Sequence, residues 1–337
     1  MSGYRVAVVG APGAVGSRVL RVLEERRFPV RVLRALGSER SAGSRVRFAG
    51  EELPVERASA AALDGIDLAF FAVGDAVSRE LAPEARRRGA VVVDKSNAFR
   101  MEPDVPLVVP EVNADALEGH RGLVASPNCS TIQLVVALAP LHREAGLRSV
   151  TVATYQAVSG SGAEAMEELR RQAEGYLAGD EPPPGVYPHP IAFNVLPQCD
   201  RFLDDGSTRE EMKLVLEPRK ILGLPELAVA ATAVRVPVFI GHSEAVWAEF
   251  ERPLSVVRAR EILASAPGVA LRDDPQAGVY PTPREAAERD EVLVGRLRPD
   301  PVRPHGLSLW IVADNLRKGA ATNAVQIAEA LVERGLL

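Results

Sequence analysis

The amino-acid sequence predicts an α/β protein in which a doubly wound parallel sheet is followed by a second, α+β domain with a mixed sheet. Three observations support this prediction: a strand, glycine turn and helix at the start of the chain, buried strands that alternate with helices as far as residue 94, and longer strands after residue 129. Strands that alternate with helices are typical of parallel sheets. The first half therefore has the pattern of a Rossmann-type nucleotide-binding fold.

The first strand is the apolar, β-branched run YRVAVV over residues 4–9, and the turn GAPGAVG follows it. The next segment predicts a helix with one apolar face, formed by Val15, Val19, Val22 and Leu23. Gly10, Gly13 and Gly16 form a spacing variant of the dinucleotide fingerprint, in which glycines permit a tight turn and the approach of a pyrophosphate. A glycine-rich turn without a ligand is the alternative, but the flanking strand and helix favour a nucleotide site.

The second strand, VRVLRAL over residues 30–36, leads into the turn GSERSAG. An NAD site usually has an acidic residue here for the ribose 2′-hydroxyl, whereas an NADP site has a cation and hydroxyls for the 2′-phosphate. Glu39 favours NAD, while Ser38, Arg40 and Ser41 favour NADP. Because the donors outnumber the acid, we expect NADP; a solvated loop without a ligand is the alternative.

The remaining segments predict the domain organisation. DLAFFAV and AVVVD are buried strands of the parallel sheet, with the helical pattern SRELAPEARRRG between them. Strands of a mixed sheet are predicted by RSVTVATYQAV, ELAVAATAVRVPVF, EAVWAEFE and LSLWIVADN. The final VQIAEALVERGL is amphipathic and could pack back on the first domain. The predicted domains are therefore residues 1–127 with 320–337, and residues 128–319.

Composition narrows the function. The chain has 337 residues, 47% of them apolar, and a formal net charge of −5 with both signs spread along it, which gives no basic field for nucleic acid or a membrane. The N-terminal segment reaches glycine and proline too soon for a signal peptide, so we expect a cytoplasmic protein. Two cysteines make no disulfide framework, and no Cys/His spacing indicates a metal. We therefore expect small-molecule partners and a reduced thiol.

The segment SPNCSTIQLVVALAP places Cys129 immediately before an apolar run. Pro127 interrupts the preceding structure, and STIQLVVALA predicts a helix that ends near Pro140. A helix N-terminus lowers the pKa of a thiol and offers N–H groups to an oxyanion, so this position suits a nucleophile. A cysteine is also often only a small buried hydrophobe, and this segment alone leaves both interpretations open.

The sequence resembles the aspartate-semialdehyde dehydrogenases in a series of motifs that occur in the same order: GAPGAVG, SERSAG, NAFR, SPNCSTIQL, TYQAVSGSG, REEMK, RVPVFIGHSEAV and DNLRKGAATNAVQ. The resemblance runs from the first strand to the last helix. It implies an NADP-binding domain, a catalytic and dimerisation domain, and a homodimer. It also implies that NADPH reduces 4-phospho-L-aspartate to L-aspartate 4-semialdehyde with release of inorganic phosphate, a step towards lysine, threonine and methionine.

The resemblance implies three catalytic residues. Cys129 would attack the acyl phosphate and form a thioester, His242 would be the acid/base residue, and Gln156 would position the acyl intermediate. An imidazole with a pKa of about 6.5 suits proton transfer near neutral pH. Without the family, a lone histidine or glutamine in such a strand would be interpreted as structural.

The resemblance also implies charged anchors for the substrate. Arg235 lies in an apolar run, and its guanidinium can hold a carboxylate through two parallel hydrogen bonds, so it is assigned to the α-carboxylate. Glu210 and Lys213 share a helical face and are assigned to the substrate ammonium and phosphate, with Arg100 as a second phosphate cation. The resemblance also assigns Asn128 to substrate binding. Without the family, Glu210 and Lys213 would be an exposed ion pair.

The cofactor residues implied by the resemblance extend beyond the two glycine- and serine-containing turns. The segment KGAATN resembles the part of the family that reaches the nicotinamide carboxamide, although a role at a helix N-terminus is almost as good an interpretation. In addition to the turn residues named above, the implied set is Ala14, Val15, Ser159, Gly160 and Asn323.

Two alternatives remain open at this point. N-acetyl-γ-glutamyl-phosphate reductase shares the architecture and the thioester chemistry, but its acetylated amine does not call for the carboxylate of Glu210. A non-catalytic relative could keep the NADP-binding fold as a sensor or binding module. Such a relative would be expected to have lost its nucleophile, whereas Cys129 is present.

Overall fold

The structure is a computed structural model that describes residues 3–180 and 182–337. The chain separates into two compact units, Met1–Asn128 with Ala320–Leu337, and Cys129–Gly319. The boundary expected from the sequence lies one residue earlier, after residue 127. Residues 1 and 2 of the expected first domain, and Glu181 in the loop DEPPPGVYPHP, lie outside the described residues.

The strands are numbered along the chain, and their β-branched and apolar content agrees with their assignment. Their bounds are β1 (Tyr4–Val9), β2 (Val30–Gly37), β3 (Arg45–Phe48), β4 (Glu51–Arg57), β5 (Leu68–Phe71), β6 (Val91–Asp94), β7 (Leu123–Ala125), β8 (Leu147–Gln156), β9 (Ala228–Arg235), β10 (His242–Phe250), β11 (Val269–Leu271), β12 (Val292–Pro299) and β13 (Gly306–Ala313).

The α-helices alternate with the strands in the first unit and are more widely spaced in the second. Their bounds are α1 (Ala14–Glu25), α2 (Asp75–Arg87), α3 (Pro110–Asn113), α4 (Cys129–Ala145), α5 (Ala163–Leu177), α6 (Arg209–Leu222), α7 (Val256–Ser265), α8 (Pro283–Ala286) and α9 (Thr322–Glu333). Short 3₁₀ helices cover Ala61–Leu63, Ala114–Gly119 and Val158–Ser161, and a π-helical turn covers Arg317–Ala321.

In the first unit, the described strands form a seven-stranded sheet in the order β3-β4-β2-β1-β5-β6-β7. Every neighbouring pair is parallel except β3 and β4 at one edge. The strand order reverses between β1 and β5, and nucleotide ligands bind such sheets at the carboxyl ends of the strands beside this reversal. The predicted doubly wound parallel sheet is confirmed. The antiparallel edge strand was not predicted.

The C-terminal helix α9 belongs to the core of the first unit. Val325, Ala328 and Leu331 are fully buried in the same cluster as Val6 and Val8 of β1. These three residues form most of the apolar face identified in the sequence. Their burial stabilises the return of the chain to its first unit after residue 319.

In the second unit, the described strands form a six-stranded sheet in the order β11-β12-β13-β10-β8-β9. The pairs β8–β9 and β11–β12 are parallel, and the other three neighbouring pairs are antiparallel. The predicted mixed sheet is therefore confirmed. Because β10 is antiparallel to β8, its amino end lies at the same edge as the carboxyl ends of β8 and β9.

Helix α4 packs against this second sheet and is buried along most of its length. The prediction that it ends near Pro140 is wrong, since the helix continues to Ala145. A proline inside a helix costs about 3 kcal/mol because it removes a hydrogen bond and clashes with the preceding turn. Burial of Leu141, which is fully enclosed, stabilises the folded helix by about 1.5–3 kcal/mol and so offsets a comparable amount.

No helix in the described ranges combines the length and the apolar character needed to cross a membrane. Within the same ranges, no group of three His, Cys, Asp or Glu side chains is placed to hold a metal ion.

Candidate active site

Three strand ends bring predicted catalytic and substrate residues together in the second unit. Gln156 ends β8 and Arg235 ends β9, and the two residues are direct partners in the parallel register. His242 begins β10, whose next residue pairs with Tyr155 of β8. The edge formed by these ends therefore carries an amide, a guanidinium and an imidazole from three neighbouring strands.

Cys129 is the first residue of α4, as the sequence predicted. It is partly exposed, whereas Cys199 is buried and burial raises the pKa of its thiol to about 12. The neighbouring Ser130 accepts a hydrogen bond from Gln156 Nε2, which ties the start of the helix to the end of β8. The main chain also approaches closely: a Cβ added at Gly319 would lie 2.8 Å from Cys129 Cβ.

The amide of Gln156 is fixed on a second side as well. Gln156 is 1% exposed, and Nε2 donates to Glu210 Oε1 at 2.8 Å in addition to Ser130. Both hydrogens of the amide nitrogen therefore have an acceptor. This pattern holds the side chain between α4 and α6.

His242 is buried, and its Nδ1 accepts a hydrogen bond of 3.0 Å from the backbone N–H of Ala157. The neutral ring therefore carries its proton on Nε2. Burial, and then the charge of Arg235, lowers the pKa of His242 to about 3. The expectation of a pKa near neutrality is therefore wrong for this structure, because an ordinary imidazole value assumes a solvated ring.

The guanidinium of Arg235 lies beside this imidazole. Its NH1 donates to Ala157 O at 2.7 Å, while the buried Nε has no acceptor among the described residues. A Cβ added at Gly160 would lie 3.0 Å from Arg235 NH1 and 3.3 Å from His242 Nε2. Gly160, predicted as a cofactor residue, is thus the small residue that leaves room for both side chains.

Glu210 and Lys213 form the ion pair that E-x-x-K spacing predicts, with 2.9 Å between Lys213 Nζ and Glu210 Oε2. The pair is not on the exposed surface, since the two side chains are only 9% and 15% exposed. Asp200 also accepts from Lys213, at 3.0 Å. Burial alone would lower the pKa of Lys213, but Glu210 and Asp200 outweigh it and the pKa is raised.

Ser159 has a structural partner in the same unit. Its hydroxyl and the side-chain amide of Asn315 exchange hydrogen bonds of 2.9–3.1 Å, and Asn315 Oδ1 also accepts from the backbone N–H of Gly241. Gly241 immediately precedes His242. Asn315, in the motif DNLRKG, was not singled out from the sequence, and only its buried polar character in an apolar strand end could have indicated it.

In the first unit, the glycine turn has the form that the fingerprint requires. Gly10 has φ 87°, a conformation that favours glycine, and its Cβ would overlap the carbonyl of Ala72. Gly16 packs against the main chain of Gly10, so no side chain fits there either. Gly13 is the N-cap of α1 and provides no side-chain cap, which leaves the helix start suited to a phosphate. Ala14 and Val15 are its first residues.

A cavity of about 250 Å³ lies between this turn and the end of β2. Ser38, Glu39 and Arg57 are among the residues that line it. Arg57 NH1 lies 3.7 Å from Glu39 Oε1, so the acid that favoured NAD has a cationic neighbour. Arg40 is exposed on the same turn as Ser41 but does not line the cavity. Sequence reasoning missed Arg57, which ends β4, 20 positions after Gly37.

The three other predicted site residues of the first unit are buried. Arg100 donates from NH2 to Lys95 O at 2.8 Å, and Asn128 is the last residue before the second unit begins. Asn323 donates from Nδ2 to Val108 O and to Ser126 Oγ, both at 3.0 Å. Both hydrogens of this amide are engaged within the unit, whereas the N-cap of α9 is Ala321 and provides no side-chain cap.

The two units match two known families. Residues 5–120 match the family described as semialdehyde dehydrogenase, NAD binding domain, and residues 138–318 match the family described as semialdehyde dehydrogenase, dimerisation domain. Together with the fold, these matches define the class of the protein. It is a semialdehyde dehydrogenase with an NAD-binding unit and a dimerisation unit.

Comparison with individual proteins narrows this class. Aspartate-semialdehyde dehydrogenase from Aquifex aeolicus is 52% identical over 339 residues, which cover 99% of this chain and 100% of that protein. Aspartate semialdehyde dehydrogenase II from Vibrio cholerae, complexed with ASA, is 44% identical with a TM-score of 0.95 and 99% of both chains covered. The Candida albicans enzyme with NADP is 25% identical, with a TM-score of 0.77 and 100% of both chains covered. The chain belongs to the aspartate-semialdehyde dehydrogenase family. This confirms the family that the sequence motifs indicated.

Proposed function

We propose that the protein uses NADPH to convert 4-phospho-L-aspartate into L-aspartate 4-semialdehyde and inorganic phosphate, a step towards lysine, threonine and methionine. One observation carries the proposal: strand ends of the second unit hold a neutral imidazole, a buried guanidinium and an amide that is hydrogen-bonded beside the thiol at the start of α4. Membership of the family supports the same reaction.

In the proposed reaction, the sulfur of Cys129 attacks the carbonyl carbon of the acyl phosphate. The carbon–oxygen bond to phosphate then breaks, phosphate leaves with the electron pair, and a thioester remains on the sulfur. Backbone N–H groups at the start of α4 are proposed to stabilise the oxyanion that forms on the way. Gln156, held by Ser130 and Glu210, keeps its amide beside this helix start.

His242 acts through its Nε2 in this proposal. The ring is neutral and can donate a hydrogen bond from Nε2 to an oxygen of the acyl group, while Nδ1 accepts a hydrogen bond from the backbone N–H of Ala157. A negative charge close to an imidazole raises its pKa. We therefore expect the bound anionic substrate to move His242 towards the range in which it accepts a proton.

The charged side chains divide the substrate between them. Arg235 has a buried Nε without an acceptor in the described residues and is proposed to hold the α-carboxylate. Glu210 is proposed to accept from the α-ammonium and Lys213 to contact the phosphate, which requires the substrate to compete with their mutual ion pair. For Arg100 and Asn128, a role in substrate binding rests on the family resemblance.

The cofactor is proposed to be NADP. The fit rests on the glycine turn, the uncapped start of α1, and the cavity lined by Ser38 and Arg57. When bound, NADPH supplies the hydride that reduces the acyl group. The carbon–sulfur bond then breaks, which releases the aldehyde and restores the Cys129 thiolate. The chain's own contribution is to bind the pyrophosphate through main-chain N–H groups and the 2′-phosphate through hydroxyls and cations, with Arg57 added to the predicted Arg40. The relative solved with NADP supports this choice.

We also propose a homodimer in the cytoplasm. The match of residues 138–318 to a dimerisation domain supports the dimer. The lining of a cavity of about 460 Å³ on the second unit includes Trp247, Tyr280 and Trp310, and aromatic residues are enriched at protein interfaces. Two free cysteines agree with a reducing compartment.

The reverse reaction provides the test. Purified protein is mixed with aspartate semialdehyde, phosphate and NADP, and formation of NADPH is followed by absorbance. We expect turnover that requires phosphate and is much faster than with N-acetyl-glutamate semialdehyde at equal concentration. A preference for the acetylated aldehyde would assign the protein to the reductase instead. Undiminished turnover without phosphate would make it a hydrolytic aldehyde dehydrogenase.

A further inference from the structure

A second polar cluster lies in the second unit among the elements that carry the active site. It consists of Glu244 on β10, Thr154 on β8 and Gln133 on α4, each no more than 1% exposed. Five side-chain atoms of this cluster, two from Glu244, two from Gln133 and one from Thr154, have no hydrogen-bond partner among the described residues. Folded proteins pair most buried polar atoms, so a cluster of this kind needs an explanation.

Each residue of the cluster lies on the same strand or helix as one of the proposed catalytic residues, two residues away on a strand or four residues away on the helix. Glu244 follows His242 by two residues and therefore points to the same face of β10. It is the direct register partner of Thr154, which precedes Gln156 by two residues on β8. Gln133 follows Cys129 by one helical turn. The three side chains thus join the three elements that position Cys129, Gln156 and His242.

The surroundings of Glu244 oppose a negative charge. Burial raises the pKa of its carboxyl well above the ordinary value, and the nearby amide of Gln133, which favours the charged form, only partly opposes this effect. Glu210 on α6 adds a repulsive charge, and His242 on the same strand is neutral. From the facing strands, β8 presents Thr154 and β13 presents Ile311, and neither side chain is charged.

We propose that Glu244 is a positioning residue, a neutral carboxylic acid that ties Gln133, and with it the first turns of α4, to the strand that carries His242. A carboxylic acid and a primary amide can exchange two hydrogen bonds, O–H to amide oxygen and amide N–H to carboxyl oxygen. A carboxylate only accepts, and it would leave the amide oxygen of Gln133 unsatisfied. The importance of this link rests on the proposed role of Cys129 as nucleophile.

The protonation state can be tested without activity. If the folded protein keeps a proton on Glu244 and the unfolded chain loses it above the ordinary carboxyl pKa, raising the pH favours unfolding. Urea unfolding of wild type and Glu244→Gln is compared at pH 5, 6, 7 and 8 and equal protein concentration. Relative to the variant, the unfolding constant of wild type should rise about tenfold per pH unit. A ratio that stays constant would show an ionised Glu244 and overturn the proposal.

Positioning is tested by the reactivity of Cys129. The rate of alkylation by iodoacetamide is measured against pH in the folded protein, with the modified cysteine identified by mass spectrometry. Glu244→Gln, whose amide can exchange two hydrogen bonds with Gln133 as the proposed carboxylic acid does, should keep the wild-type pH profile, whereas Glu244→Leu should change the rate at pH 7 about fivefold or more. Gln133→Met removes the proposed interaction with Glu244 from the side of α4. It replaces Glu244→Leu in the experiment if the leucine variant does not fold. A wild-type profile in Glu244→Leu or Gln133→Met would overturn the positioning role. These outcomes are independent of which aldehyde the enzyme uses.

Discussion

Replacement of Gly319 by alanine should lower the catalytic rate about a hundredfold in a protein that still folds. The added Cβ would lie 2.8 Å from Cys129 Cβ and 3.3 Å from Cys129 Cα. Non-bonded carbon atoms settle at about 3.5–4.0 Å, so the start of α4 must move by about 0.7–1.2 Å to accept the methyl group. A misplacement of about 1 Å at a reacting atom costs on the order of 10² in rate. A crowded methyl group costs about 1–3 kcal/mol of stability.

The assay is aldehyde oxidation at saturating NADP and phosphate, with the thermal midpoint measured on the same preparations. Gly119→Ala is the matched control, because a Cβ at Gly119 meets no atom within 4 Å. We expect kcat at saturating NADP to fall about a hundredfold in Gly319→Ala and to stay at the wild-type value in the control. A kcat for Gly319→Ala within about twofold of wild type would show that the methyl group fits without moving Cys129.

Three further predictions follow from the site. Cys129→Ser should lose turnover by orders of magnitude while NADP still binds, and iodoacetamide should label Cys129 well before Cys199, whose pKa burial raises to about 12; near-normal activity of the serine variant would exclude a thioester. Arg40→Ala and Arg57→Ala should each raise KM for NADP about tenfold or more and KM for NAD much less, since a charge-assisted contact contributes about 1.5–3 kcal/mol. An equal effect on both cofactors would contradict this assignment. His242, neutral in the fold with its pKa lowered to about 3, should cost stability as the pH falls below about 6.5, by about 2 kcal/mol at pH 5 relative to His242→Asn. Urea unfolding at pH 7 and pH 5 measures this difference, and a pH-independent difference would show that the ring titrates normally.

The sequence predicted those features that depend on local patterns. The strand before Gly10, the glycine turn and the helix after it are encoded within about twenty consecutive residues, so periodicity and turn chemistry were enough. The placement of Cys129 at a helix start followed from Pro127 and the apolar run after it. The end of α4 was wrong because the local effect of Pro140 is outweighed by burial of residues beyond it, which is a property of the sheet on which the helix packs.

Features that arise from distant parts of the chain could not be predicted. Arg57 joins the turn at Ser38 only because β4 lies parallel to β2. Gly319 reaches Cys129 across 190 positions of sequence, and neither segment carries a sign of the other. The lowered pKa of His242 depends on complete burial beside Arg235. The motif RVPVFIGHSEAV could indicate which histidine takes part in the reaction, but it could not indicate how deeply that histidine is buried.

In the proposed reaction, Cys129 carries the acyl group between the hydride transfer and the step that involves phosphate. The most direct measurement mixes the enzyme with aspartate semialdehyde and NADP in the absence of phosphate, follows one turnover by absorbance, and quenches in acid for peptide mass spectrometry. We predict one equivalent of NADPH per active site and an aspartyl thioester on Cys129, which added phosphate removes before the quench. An equivalent of NADPH formed while Cys129 remains unmodified would contradict the account.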